Sequence, residues 1–114
     1  MSVTLKPSQE VTILAELSIT GGEVVAEKTT GYIGEKIPFT IKINFNRTIT
    51  DTDFALYQVH YRGTINGTYV KELDLVFRME PGASSISKTI HITFSSPGKY
   101  VVGGTVALES IPIT

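Results

Sequence analysis

The ten residues IPFTIKINFN, at positions 37–46, place Phe39, Ile41, Ile43 and Phe45 on one side of an extended chain and Thr40, Lys42 and Asn44 on the other. Side chains of a strand point alternately to its two faces, so an apolar residue at every second position marks a strand buried on one side and wet on the other. The same period recurs along most of the chain. VTILAELSI (11–19) carries Val11, Ile13, Ala15, Leu17 and Ile19 in alternation and stops at Gly21-Gly22. FALYQVHYRG (54–63) offers two faces, Phe54/Leu56 and Ala55/Tyr57/Val59/Tyr61, of which the longer second one is expected to point inward. Further segments align Leu73, Leu75, Phe77 and Met79, then Ile86, Ile90, Ile92 and Phe94, and last Tyr100, Val102, Val106 and Leu108. No segment holds a 3.6-residue stripe long enough for a three-turn helix. The pattern predicts an all-β chain.

The connections fit that class. Ile65-Asn66-Gly67-Thr68 is a strong hairpin signal, because a type I′ turn needs two residues that tolerate positive φ. Gly21-Gly22 is a weaker signal of the same kind, and Pro81-Gly82 and Pro97-Gly98 are turn pairs. Six or more strands separated by such turns read as a sandwich or barrel. No internal repeat, low-complexity linker or composition break divides the chain, so residues 1–114 are expected to form one domain.

Composition narrows the function classes. The net charge is −1 without acidic or basic blocks, which selects neither for nucleic acid nor for an anionic membrane surface. Charged residues make up only 18%, while Thr and Ser number 15 and 9, a hydroxyl-rich balance common on secreted and virion β-proteins. With no cysteine there are no disulfides, thiolate metal sites or cysteine nucleophiles. MSVTLKPSQE has neither the basic nor the apolar region of a signal peptide, and no apolar run approaches the ~18 residues that span a bilayer. The expectation is a domain cut from a longer exported chain, or a protein made and assembled in the cytosol.

Around the last turn pair the series Gly98, Lys99, Tyr100, Val101, Val102 is similar to the start of strand F in immunoglobulin-like domains, with valine where their cysteine stands. Upstream, GEKIPFTIKINF resembles strand B, with Ile41 or Ile43 in the partner cysteine's place. The strand C segment has Tyr57 and no tryptophan, and Ser96 stands where an acidic residue is frequent, unlike antibody domains. Over residues 34–108 the chain resembles the disulfide-free Ig-like modules of microbial surface and phage proteins. That resemblance implies an Ig-like antiparallel β-sandwich of about seven to nine strands. Pro97, Gly98 and Tyr100 would form its structural corner, the tyrosine hydroxyl bonding back to the main chain.

Candidate chemistry is sparse. His60 and His91 sit on separate segments without His-x-His or His-x₃-His spacing, so no metal ligands are assigned. Asp51 and Asp53, in what reads as a loop, offer fewer oxygens than calcium needs and are expected to cap turns. No serine lies in a nucleophile-elbow pattern, neither histidine has a recognisable acidic orienter, and no glycine-rich loop opens a helix. No catalytic residue and no cofactor are expected. Asn46-Arg47-Thr48 and Asn66-Gly67-Thr68 are sequons, making Asn46 and Asn66 candidate glycosylation sites, although Asn66-Gly67 is what the turn itself demands. Tyr32, Tyr57, Tyr61 and Tyr69 would stack on sugars if they shared an exposed face; cross-strand packing is the competing reading.

These readings converge on a non-catalytic structural or interaction module of an extracellular assembly. It would be a virion structural or decoration protein, or a cell-surface array or adhesion domain, located on the extracellular surface or in the virion. A carbohydrate-binding module using exposed tyrosines is the alternative, and a hydrolase or metalloprotein with an unfamiliar site is a third, the enzyme being favoured if His60 lies within bonding reach of a buried carboxylate. The expected partners are other protein subunits, as a homo-oligomer or within a larger assembly, with glycans second and with no nucleic acid or membrane insertion. An Ig-like sandwich needs a strand G beside strand F, yet after Leu108 only residues 109–114 remain, and Pro112 cannot donate a main-chain hydrogen bond. The N-terminus has a surplus of strand-like sequence in Val3-Thr4-Leu5, in 11–19 and around Val24-Val25. Either an N-terminal strand fills the place beside strand F, or residues 1–9 (Val3, Leu5 and the hinge Pro7-Ser8) form an arm that pairs with a neighbour's open edge.

Overall fold

In the computed structural model, which describes residues 2–112, the alternating segment becomes the strand with most support: β2 (Lys36–Phe45) pairs on both sides. Its neighbours are β1 (Ile19–Ala26) and β5 (Ser85–Thr93), giving a three-stranded antiparallel sheet in the order β1-β2-β5. A second three-stranded sheet has β3 (Tyr57–Ile65) at its centre, between β4 (Thr68–Phe77) and β6 (Val102–Ser110), in the order β4-β3-β6. The molecule is therefore all-β, with two antiparallel sheets and a single turn-and-a-half of helix, α1 (Asp51–Leu56), on the crossover between them.

One face of each sheet supplies a common core. Phe39, Ile41 and Ile43 of β2, Val59 and Tyr61 of β3, and Phe77 of β4 belong to a single buried cluster that Ile86, Ile92 and Val102 extend. The inward face of β3 is thus the one with Tyr57, Val59 and Tyr61, but Ala55 lies in α1 and is exposed, because the strand begins only at Tyr57. Tyr61 is 1% exposed and still polar-satisfied, its hydroxyl donating to Gly103 O at 2.6 Å. Its ring fits because Gly63 and Gly104 face it: a Cβ on Gly104 would come within 2.7 Å of the ring and 2.5 Å of Arg62 O.

Turn chemistry operates at the β3–β4 hairpin. Asn66 and Gly67 have φ of 52° and 82°, the positive pair that a type I′ turn requires. Gly21-Gly22, expected as a turn, instead lies inside β1, at a register shift between Ile19 and Gly21. The glycine is needed there for close approach, since a Cβ on Gly22 would sit 2.5 Å from Lys42 O.

Among the described residues six strands form where about seven to nine were expected, and residues 2–18 supply none of them. Residues 11–18 belong to no strand, although they alternate as well as β2 does; strand structure starts only at Ile19. Alternation makes a segment amphipathic, but a strand also needs a partner for its main-chain groups, and residues 2–17 pair with no strand among the described residues. They project instead. The radius of gyration is 20.4 Å, against about 13 Å for a compact domain of this length, and the longest extent is 87 Å.

Candidate functional site

The arm is gripped where it leaves the body. Two residues past the end of β2, Asn46 and Arg47, hold residues 15–18 through main-chain atoms. Asn46 accepts from Ser18 N through Oδ1 at 2.9 Å and donates Nδ2 to Glu16 O at 2.9 Å, while its own N–H donates to Ser18 O at 3.1 Å. Arg47 Nε donates to Ala15 O at 2.5 Å. Leu17 anchors the same stretch by burying its side chain in the core.

The guanidinium is itself positioned. Arg47 donates Nη1 to Asp53 Oδ2 at 2.6 Å and Nη2 to Asp53 Oδ1 at 3.1 Å, and Asp53 also accepts from Thr50 N and Thr50 Oγ1, each at 2.9 Å. Thr50 is the N-cap of α1 and Asp53 its third residue, so the two form a reciprocal capping box. The arginine contact, followed by the threonine bonds, holds the Asp53 carboxyl well below the usual carboxylate range and outweighs the burial that opposes it. The segment expected as a polar loop at Thr50-Asp51-Thr52-Asp53 is thus a helix start, and its aspartate serves the clamp.

Beyond Ala15 no hydrogen bond joins the arm to the body among the described residues. Val3, Leu5, Val11, Ile13 and Leu14 are exposed, as is Pro7, and Ile13 reaches 86% exposure. Val3, Leu5 and Pro7 therefore lie on a projecting segment, and the projection continues inward to residue 14. The sheets have four edges, formed by β1, β5, β4 and β6. On one side of the molecule β1 and β6 flank an open cleft of about 570 Å³, lined by Ile41, Ile43, Tyr61, Val102 and Val106 among others.

The corner residues gather at the base of β6. Tyr100 donates its hydroxyl to Ser96 O at 2.7 Å and stacks on Phe94, with ring centroids 4.2 Å apart. It lies half-buried ahead of β6 rather than inside a strand, and Pro97 and Gly98 form the exposed bend before it. Asn66 latches this loop to the β3–β4 hairpin, its N–H donating to Val101 O and its Oδ1 accepting from Val101 N, both at 2.8 Å. Each sequon asparagine thus has a structural duty. Asn66 Nδ2 is the freer of the two amide nitrogens, with only a 3.4 Å contact to Lys99 O.

A polar cluster lies on the outer face of the second sheet. His60, at its centre, donates Nδ1 to Glu109 Oε1 of β6 at 2.8 Å and bonds Asp74 of β4 through Nε2. Tyr69 donates its hydroxyl to the other oxygen of Asp74 at 2.5 Å. These bonds, Glu109 first and Asp74 next, raise the His60 pKa, and Asp74 is lowered by Tyr69 and His60. His60 therefore has the acidic partners that its sequence neighbours did not reveal. Both of its ring nitrogens are engaged by carboxylates. Its carboxylate partners are 30% and 41% exposed and stand on β4 and β6, so the arrangement clips the three strands together.

The other candidates scatter. His91 is exposed on β5, and Asp51 is exposed in the first turn of α1. Tyr61 is in the core and Tyr57 is half-buried, so the four tyrosines do not make one exposed stacking face; Tyr32 and Tyr69 are exposed. Among the described residues no three His, Cys, Asp or Glu side chains group to hold a metal ion, and no helix is long and apolar enough to cross a membrane. No family model matches the chain, and comparisons with curated proteins and with solved structures found no match.

Proposed function

We propose that this chain is a non-catalytic, Ig-like structural module that works in an extracellular assembly, a virion or a cell-surface array, and contacts a neighbouring subunit through its N-terminal arm. The observation that carries this reading is the arm itself. Exposed apolar residues in a segment that leaves the body by a dedicated clamp are costly in isolation, and a partner that covers them removes the cost. The Ig-like assignment draws support from the strand order: β1-β2-β5 faces β4-β3-β6, which corresponds to A-B-E and C′-C-F of that fold, with no described strand in the place of G beside β6. The backward bond from the Tyr100 hydroxyl to Ser96 O, just ahead of β6, is of the kind that marks the corner in such domains.

Light scattering across a concentration series tests the reading on the full chain and on a chain lacking residues 2–14. The full chain is expected to exceed its 12.4 kDa monomer mass as concentration rises, and the truncated chain to remain a folded monomer. Equal masses for the two chains at every concentration would remove the arm from any part in assembly.

A further inference from the structure

We infer that residues 8–14 of one copy add as a strand to the free edge of β6 in a second copy, covering the cleft between its β6 and β1. This inference rests on the assembly reading above and names its acceptor.

The acceptor follows from comparing the four edges. Exposed edges in soluble proteins carry charge, bulges or both, which discourage pairing with other chains. The β4 edge carries Lys71, Glu72 and Asp74, and its pairing with β3 is irregular between Arg62 and Thr64. On β5 stand Lys88 and His91. The β1 edge carries Glu23 and is irregular between Ile19 and Gly21. In β6, residues 102–108 (VGGTVAL) carry no charge, and the pairing with β3 runs without a break from Val102 to Ser110. The one charge of β6, Glu109, stands at its far end, and beside the uncharged residues 102–108 lies the apolar cleft.

The occupant follows from the arm. Within residues 8–14 the stretch 11–14 (VTIL) carries no charge, Glu10 being the one charged residue, and Val11 and Ile13 alternate with Thr12 and Leu14, so Val11 and Ile13 can meet the cleft from one face. The seven residues 8–14 avoid Pro7, which could not donate to a ladder. Extended at roughly 3.3 Å per residue they span about 23 Å, the reach of residues 102–108 of β6. Insertion into the chain's own cleft is opposed by the clamp. With residues 15–18 held by Asn46 and Arg47, the chain would have to reverse immediately before Ala15, and no Gly or Pro lies between Pro7 and Gly21 to favour a reversal. Donor and acceptor are different surfaces of one molecule, so the contact either closes as an exchanged dimer or continues as a linear chain.

The absence of cysteine makes a disulfide test clean. Thr12→Cys is combined with Thr105→Cys or Ala107→Cys on the outer face of β6, and, for comparison, with Ser87→Cys on β5 or Glu72→Cys on β4; all five positions are exposed. Each double variant is oxidised at a concentration where light scattering shows assembly and run on a non-reducing gel. Bands at multiples of 12.4 kDa from the β6 pairs, several-fold stronger than from the β5 and β4 pairs, are the expected result. A disulfide confined within the monomer, equal or stronger ladders from β5 or β4, or assembly without a ladder from any pair would overturn the β6 assignment while leaving the assembly reading intact. A chain that stays monomeric at every concentration would overturn both.

Discussion

Residues 39–45 and residues 11–14 both carry apolar residues at every second position and end in opposite states. In β2 the alternation is paired on both edges, and Ile43 is 1% exposed; in the arm, Ile13 is 86% exposed. The difference is not in the alternation of apolar residues, which both segments have, but in what lies beside them. A strand is completed by its neighbours' main-chain groups, and only β2 has neighbours within its own molecule.

The comparison is broken most forcefully by truncating one isoleucine from each region. Ile43→Ala should cost about 2–5 kcal/mol in urea unfolding, through lost burial and the cavity left behind. Ile13→Ala should leave the monomer within about 0.5 kcal/mol of the parent, while weakening assembly. A cost at Ile13 approaching that at Ile43, measured on monomer, would mean that the arm belongs to the fold of its own chain.

Smaller changes sharpen the boundary between the regions. Tyr61→Phe removes a buried hydrogen bond to β6 and should cost about 1–2 kcal/mol. Thr50→Ala removes the N-cap of α1 and should cost about 1 kcal/mol. Because Thr50 also orients Asp53 against Arg47, which holds Ala15 O beside the Asn46 bond to Ser18 N–H, the same variant should loosen the clamp and speed amide exchange at Ser18. Unchanged exchange there would detach the cap from the clamp. Tyr100→Phe, at a half-buried position, should cost less than Tyr61→Phe; the reverse order would make the corner the stronger of the two tyrosine contacts.

Protonation of the His60 clip should have the smallest effect. The folded-state pKa of His60 is raised, so its contribution is full below the unfolded value of about 6.5 and is lost as pH rises through the higher folded value. Asp74 is lowered, so its contribution is present above the unfolded value of about 3.9 and is lost as pH falls through the folded one. The urea midpoint should therefore decline as pH rises above about 6.5, and His60→Gln should flatten that decline. A His60→Gln profile parallel to the parent's would show the clip to be energetically silent.

What could be read in advance follows from which interactions are local. The strands from β2 to β6 and the Asn66-Gly67 turn were legible because alternation and positive φ are properties of a few adjacent residues. The helix α1 also had a local signal that was passed over, since Thr50-Asp51-Thr52-Asp53 is a capping box with aspartate in the place of glutamate. The His60 clip joins residues 49 and 14 positions apart, and the Asn46 bonds to the arm span 28 and 30 positions, so they emerge only once the sheets are folded. Gly21-Gly22 was misread for the related reason that glycine serves close approach to β2 as well as turns, and only the neighbouring main chain decides which. The arm was visible as surplus strand-like sequence, but its inner limit depends on a clamp more than two dozen residues away.

The difference between arm and body is tested most directly by amide hydrogen exchange of the full chain, at a concentration where light scattering shows assembly and again after dilution to monomer. The account predicts that amides of β2 around Ile41 and Ile43 are protected in both conditions. Amides in residues 11–14 should be protected only when the chain is assembled and should exchange at unfolded-chain rates after dilution. Protection of residues 11–14 in the monomer, or their free exchange in the assembled state, would contradict the claim that this strand finds its partner in another molecule.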